Sequence, residues 1–249
     1  MSGHSKWSSI KHRKGAADAK RGKAFTKLAR AITVAAREGG GSPDANPALA
    51  TAVQKARDAS MPKDNIQRAI DRGTGEGADA VAIERVVFEG YGPGGTAILV
   101  EALTDNRNRT SAEVRHAFSR HGGNLGEPGS VAYIFEKRGV VVVDGVRYGE
   151  DDLIAAIDAG ADEVEPDGDL LKVVSEPGAL TAVREALEGS GVEIRSAEVA
   201  MEPTSVVEIG ESDAGSLLRL LESLDDQDDV SEVHANFEIP QEILERAAA

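Results

Sequence analysis

The chain has no cysteine, which excludes disulfides, thiolate metal sites and cysteine nucleophiles together and fits a reducing compartment. Aromatic residues make up only 4% of the 249 positions, with one tryptophan, too few for a broad platform on which bases stack. No apolar run approaches the roughly 20 residues of a membrane span, and the start lacks the roughly 7–15-residue apolar stretch of a secretory signal. A cytoplasmic protein that avoids membranes is therefore expected. Catalytic constellations are also missing: no H-E-x-x-H, P-loop or G-x-S-x-G occurs. His116 and His121 are five positions apart rather than three or four, and the acidic run in "LESLDDQDDV" lacks the glycine and spacing of a calcium loop, so it reads as a solvated face. The expectation is a non-enzyme with no cofactor, no metal and no small-molecule substrate.

Charge is present in quantity and unevenly placed. The net formal charge is −15, yet the first thirty residues hold nine Lys or Arg against one acid, Asp18. Residues 1–75 sum to +9 and residues 76–249 to −24. Such asymmetry points to a polyanion at one end, while the acidic remainder discourages indiscriminate adhesion and is expected to stay clear of the basic part.

Organisation follows from periodicity. Residues 1–15 have only Trp7 and Ile10 as sizeable apolar groups and read as an arm. From Ala16 to Glu38 a helical stripe appears, with Phe25, Leu28, Ala29, Ile32 and Ala36 at spacings of three and four. Asn46 and Pro47 supply a cap and a first-turn proline for a second helix, and Pro62 opens a third that stops at Gly73. Gly73–Gly77 reads as a hinge. Beyond it, strand, helix and strand signals, among them strands at 95–103 and 131–136 around a helix at 107–121 and a strand at "SVVEIG", predict two βαββαβ units, one interrupted by the other. The fold class is thus α+β: an N-terminal three-helix bundle plus two ferredoxin-like domains, one inserted in the other. The expected boundaries are 1–75 for the arm and bundle, 76–138 with 203–249 for the discontinuous domain, and 139–202 for the insertion.

On the first helix, Phe25, Leu28, Ala29, Ile32, Ala35 and Ala36 span about 120° of the wheel, and Lys20, Lys23, Lys27, Arg30 and Arg37 cluster within about 100° almost opposite. Glutamates that would pair with them at i, i+4 are absent. Distributed cations beside an arm of the same sign suit the successive phosphates of a nucleic acid, either DNA or ribosomal RNA on the ribosome. Trp7 and His12 offer flat faces for bases, and Trp7 serves equally well as a staple tying the arm to the bundle. "GYGPGG" (Gly90–Gly95) matches G-x-G-x-x-G literally but returns at once into a strand, and Pro93 removes a donor, so it is a hairpin turn and not a dinucleotide site. In "TDNRNRT", Asp105 or Asn106 can cap the next helix. Arg107 and Arg109 then sit at its first turn, facing either a phosphate or an acidic neighbour from the inserted domain.

The stretches "GHSKWSSIKHRKGAADAKRGKAFTKLARAI", "MPKDNIQRAI" and "FEGYGPGGTAILVEALTDNRNRTSAEVRHAFSRHGGNLGEPGSVAYIF" closely resemble the YebC family over essentially the whole chain. The resemblance implies a three-domain protein of the bacterial cytoplasm, named for DNA-binding transcriptional regulation, with relatives tied to translation, among them a mitochondrial activator of cytochrome oxidase synthesis. Carried over by position, it puts weight on His4, Lys6, Trp7, Lys11, His12, Arg13 and Lys14, and on Arg107 and Arg109.

Overall fold

A computed structural model of the protein describes residues 18–75, 83–240 and 242–243. Its first part is helical: α1 (Asp18–Gly39), α2 (Pro47–Asp58) and α3 (Lys63–Thr74). The turn between α1 and α2 is stitched by Asn46, which accepts from the Leu49 N–H at 3.1 Å and donates Nδ2 to the carbonyls of Ala35 and Gly40 at 2.8 and 2.9 Å. The apolar stripe packs as the sequence pattern requires, with Ile32, Ala35 and Ala36 against Leu49, Val53, Ile66 and Ile70. Gly73 does not end α3; the helix runs on to a left-handed Gly75. Gly73 instead lets α1 and α3 touch, since a Cβ there would lie 2.4 Å from the Thr33 carbonyl oxygen. Thr33 Oγ1 donates to the Ala69 carbonyl across the same seam at 3.0 Å.

Two antiparallel four-stranded sheets follow. The first joins β1 (Glu84–Tyr91), β2 (Ala97–Thr104), β3 (Asn124–Leu125) and β9 (Val230–Ala235) in the order β3-β1-β2-β9. The Gly90–Gly95 stretch is the hairpin turn between β1 and β2: Gly94 and Gly95 adopt φ of 70° and 77°, and Gly92 N–H donates to the Thr96 carbonyl at 2.7 Å. Helices α4 (Arg107–Arg120) and α7 (Glu211–Asp225) cover one face, burying Val114, Phe118, Leu217, Leu220, Leu221 and Leu224 with Ile98 and Val100.

The second sheet consists of β4 (Phe135–Asp144), β5 (Ala161–Asp167), β6 (Leu170–Ser175) and β7 (Ile194–Pro203), ordered β5-β6-β4-β7, with helices α5 (Ile154–Asp158) and α6 (Leu180–Gly189) in the connections. This is the βαββαβ arrangement, each strand of a parallel pair separated by an antiparallel neighbour. The chain enters through β4 and leaves through β7, which pair from Phe135↔Pro203 onward.

The mixed α+β class with a helical front and two such sheets is as expected, but two strands differ. Of the strand expected at 131–136, Ala132–Ile134 is a tight turn that brings Val131 and Phe135 under Ala97 and Leu99, and the extended part belongs to the second sheet. "SVVEIG" reduces to β8 (Val207–Glu208), paired in parallel with β10 (Phe237–Glu238) apart from the main sheet. The hairpin already supplies two adjacent strands, so the first sheet has no place for either. Glu89 anchors the loop before that turn, its carboxylate accepting the N–H groups of Gly129, Val131 and Ala132 at 2.7, 2.8 and 2.8 Å. Among the described residues no helix is long and apolar enough to cross a membrane.

Candidate nucleic-acid interface

His4, Lys6, Trp7, Lys11, His12, Arg13 and Lys14 lie outside the described residues, as does the side chain of Lys20. The rest of the cationic face of α1 is in view, and the acidic part of the chain does not stay clear of it. Lys23 Nζ donates to the Asp226 carbonyl at 3.2 Å, and Lys27 to the Asp225 carbonyl, with the Asp225 carboxylate 3.7 Å away. These carbonyls end α7, where the aligned peptide dipoles attract cations. Arg30 donates to the Asp228 carbonyl at 2.9 Å and forms an ion pair with the Asp229 carboxylate. Arg37 donates to the Ile83 carbonyl. The cations of α1 that are in view, expected to meet phosphates, therefore dock α1 onto the first sheet layer.

Asp229 corrects the reading of "LESLDDQDDV" as a solvated face, because it is only 4% exposed. Besides Arg30, its carboxylate accepts from Arg109 at 2.6 Å, Thr110 Oγ1 at 2.7 Å and Thr104 Oγ1 at 3.0 Å. Burial by itself would raise its pKa, but the hydrogen bonds from Arg109, Thr110, Arg30 and Thr104 outweigh that and hold it at about 2. The acceptor is positioned by the main chain, since the Asp229 carbonyl takes the Leu103 N–H at 2.8 Å where β2 ends.

Arg107 and Arg109 part company. Asn106 caps α4 by accepting the Arg109 N–H at 3.1 Å, after which Arg109 turns inward to Asp229 and Asp105. Its acidic partner thus comes from the first sheet layer and not from the inserted one: β9 starts beside the end of β2, directly under the first turn of α4. Arg107 is exposed.

A second junction lies at Lys55 of α2, which bridges Glu198 of β7 at 2.7 Å and Glu232 of β9 at 2.8 Å, so one ammonium touches both sheets. Burial opposes its charge, yet Glu232 and Glu198 together raise its pKa. Beside it, His234 is fully buried with Nε2 3.6 Å from the carboxylates of Glu101 and of Glu232. Glu101, Glu232 and His234 are near enough to share a cation, but the Lys55 ammonium already neutralises Glu232. Arg184 of α6 reaches Asp58 at the end of α2 at 3.3 Å. The chemistry of these groups is electrostatic fastening of the three cores to one another.

Asp229, Lys55 and Glu89 carry the assembly, and periodicity could not point to them, since each acts through partners distant in sequence. One overlooked signal was present: "RNRTSAEVRHAFSR" has four arginines and one glutamate within a strongly acidic region.

Comparison with known proteins agrees with this layout. Residues 5–76 match the model of the TACO1/YebC protein N-terminal domain, and residues 83–237 that of the TACO1/YebC second and third domain. The chain belongs to the TACO1/YebC family. A "probable transcriptional regulatory protein" of Rubrobacter xylanophilus is 58% identical over 100% of both chains. One of the same name from Acidothermus cellulolyticus is 53% identical over 98% of this chain and 99% of its own. The crystal structure of a conserved hypothetical protein from Aquifex aeolicus, 48% identical, superposes with a TM-score of 0.82 over 91% of this chain and 94% of that one. The TACO1/YebC models cover both sheet layers together, which are the layers bound by Lys55.

Proposed function

We propose that this TACO1/YebC protein is a nucleic-acid-binding regulator of gene expression, a DNA-binding transcriptional regulator whose amino-terminal segment grips phosphates. The reading rests on one observation: an acidic chain concentrates nine cations in its first thirty residues. The relatives' name, probable transcriptional regulatory protein, supports it. In this reading His4, Lys6, Trp7, Lys11, His12, Arg13, Lys14 and Lys20 meet the nucleic acid. Lys23, Lys27 and Arg30 hold the body of α1 on the acidic end of α7 and so give the grip a fixed base.

The test is recovery of nucleic acid from gently crosslinked cells, with the intact chain and with a chain lacking residues 1–17. The expected result is genomic duplex on the intact chain and its loss from the shortened one. In vitro, a log–log salt slope near −4 to −5 is expected if about five phosphates are engaged. Recovery of ribosomal RNA instead would replace the transcriptional reading with that of a translation factor. Equal recovery from both chains would end the amino-terminal assignment.

A further inference from the structure

The region from residue 76 onward carries a net charge of −24, and its described cations are mostly neutralised one by one. Arg85, Arg109, Arg138, Arg147, Lys172, Arg184 and Arg195 each meet a carboxylate. Of the five exceptions, Lys137 lies on β4 and Arg219 on α7, and the other three are arginines on α4. Arg107, Arg115 and Arg120 are exposed and form no ion pair among the described residues. In a region with such a surplus of acid, three neighbouring arginines without a carboxylate mark a face kept open for an external anion.

The face is continuous. Asn108, Ser111, Arg115 and Ser119 fall within about 80° of the helix wheel, flanked on one side by Arg107 and on the other by His116 and then Arg120, while Thr110, Val114, Ala117 and Phe118 on the remaining side pack on the sheet. At its far end Arg120 and His121 meet Arg219 of α7 around the Gly92–Gly94 turn, with Asp213 as the one acid on that rim. Arg107 to Arg120 span roughly 20 Å of straight helix. Small hydroxyl and amide side chains lie between the arginines, the residues that accompany arginine at phosphate oxygens. No aromatic ring lies on the face, so it is suited to a backbone and not to splayed bases.

We infer that the outer face of α4, carried by Arg107, Arg115 and Arg120 with His116 and Arg219, is a second docking surface that takes the phosphate backbone of a double helix. This deepens the nucleic-acid reading given above and rests on it. The two basic elements would then embrace one polymer from separate layers, with Asp229, held by both Arg30 and Arg109, fixing their relative placement.

The test compares full-length protein with the variant R107A/R115A/R120A on three probes: a mixed-sequence DNA duplex, an RNA hairpin and single-stranded oligothymidylate. The expected result is a drop of at least about tenfold in affinity for a duplex at low salt, with the magnitude of the salt slope smaller by about 2–3. Lysine at the same three positions should restore most of it. Circular dichroism and thermal midpoint should match the parent, because these side chains are exposed and form no ion pair among the described residues. A separate signature is His121, whose imidazole is held below its ordinary pKa by burial and by Arg120, Arg219 and His116. Phosphates at the two arginines should move its titration upward, read by proton NMR with and without duplex. Unchanged affinity and slope in the alanine variant, a stronger grip on oligothymidylate than on duplex, or a motionless His121 would each overturn the inference while leaving an intact chain that binds nucleic acid. If the intact chain binds none of the probes, the broader reading fails and this one falls with it.

Discussion

Arg30 of the helical bundle and Arg109 at the first turn of α4 hold the same carboxylate, that of Asp229. One buried acid thereby fixes how a helix from the front of the chain lies against the first sheet layer. Because Thr104 and Thr110 complete the shell, the carboxylate has no need of water.

Asp229→Asn should therefore lower stability by about 2–3 kcal/mol, since two guanidinium groups lose their shared counter-ion. Urea unfolding followed by circular dichroism measures this, and an effect below about 0.5 kcal/mol would mean that the contact is ornamental.

Acid should remove the same contribution. Asp229 sits at about 2 in the folded protein, below the roughly 3.9 of an unfolded aspartate. The folded carboxyl is the harder one to protonate, so its stabilisation of about 2 kcal/mol is complete above about pH 4 and drains away between about pH 4 and 2. Asp229→Asn should flatten that limb of the stability profile. Parallel profiles for parent and variant would contradict it.

Arg30→Glu sets a carboxylate against Asp229 and should release α1 from the first sheet layer instead of merely blanking a charge. Faster amide exchange in α1, and at Leu103 and Thr104, is expected. Loss of nucleic-acid binding in such a variant must accordingly be weighed against this exchange before it is assigned to a missing phosphate contact.

Lys55→Met leaves Glu198 and Glu232 facing one another without the ammonium between them, at an expected cost of about 2–3 kcal/mol. Adding Glu232→Gln to it should recover part of the loss. A double-mutant cycle with no coupling would show that the bridge contributes nothing to joining the layers.

Gly73→Ala should cost about 1–3 kcal/mol, because the new methyl meets the Thr33 carbonyl oxygen at 2.4 Å and α1 must withdraw from α3. The thermal midpoint is the measurement, and an unchanged value would show that the helices can part without penalty.

What could be read from the sequence was whatever repeats at short range. The stripe of Phe25, Leu28 and Ile32, the Asn46–Pro47 helix start and the "GYGPGG" hairpin each depend on neighbours within a few positions, and each stands in the structure where its pattern put it. Partner identity is a different matter. Lys27 and Arg30 show the same opposite-face periodicity whether they meet water, a phosphate or the end of α7, and only the fold brings residues 225–229 beneath them. The same blindness hid Glu89, whose three N–H donors lie some forty positions away. Gly73 misled because glycine ends helices and also admits close crossings, and sequence spacing does not separate the two roles.

The pairing of β4 with β7 has an engineering consequence. Lys137 and Met201 sit opposite one another on those adjacent strands, about 5 Å apart by ordinary antiparallel geometry. An Asn-Gly pair could join them as a tight reverse turn, deleting the whole βαββαβ unit beyond while the ends on either side keep their places. Such a shortened chain would be a removable-cassette version of the protein, in which the contribution of Glu198 to the Lys55 bridge is severed and that of Glu232 survives.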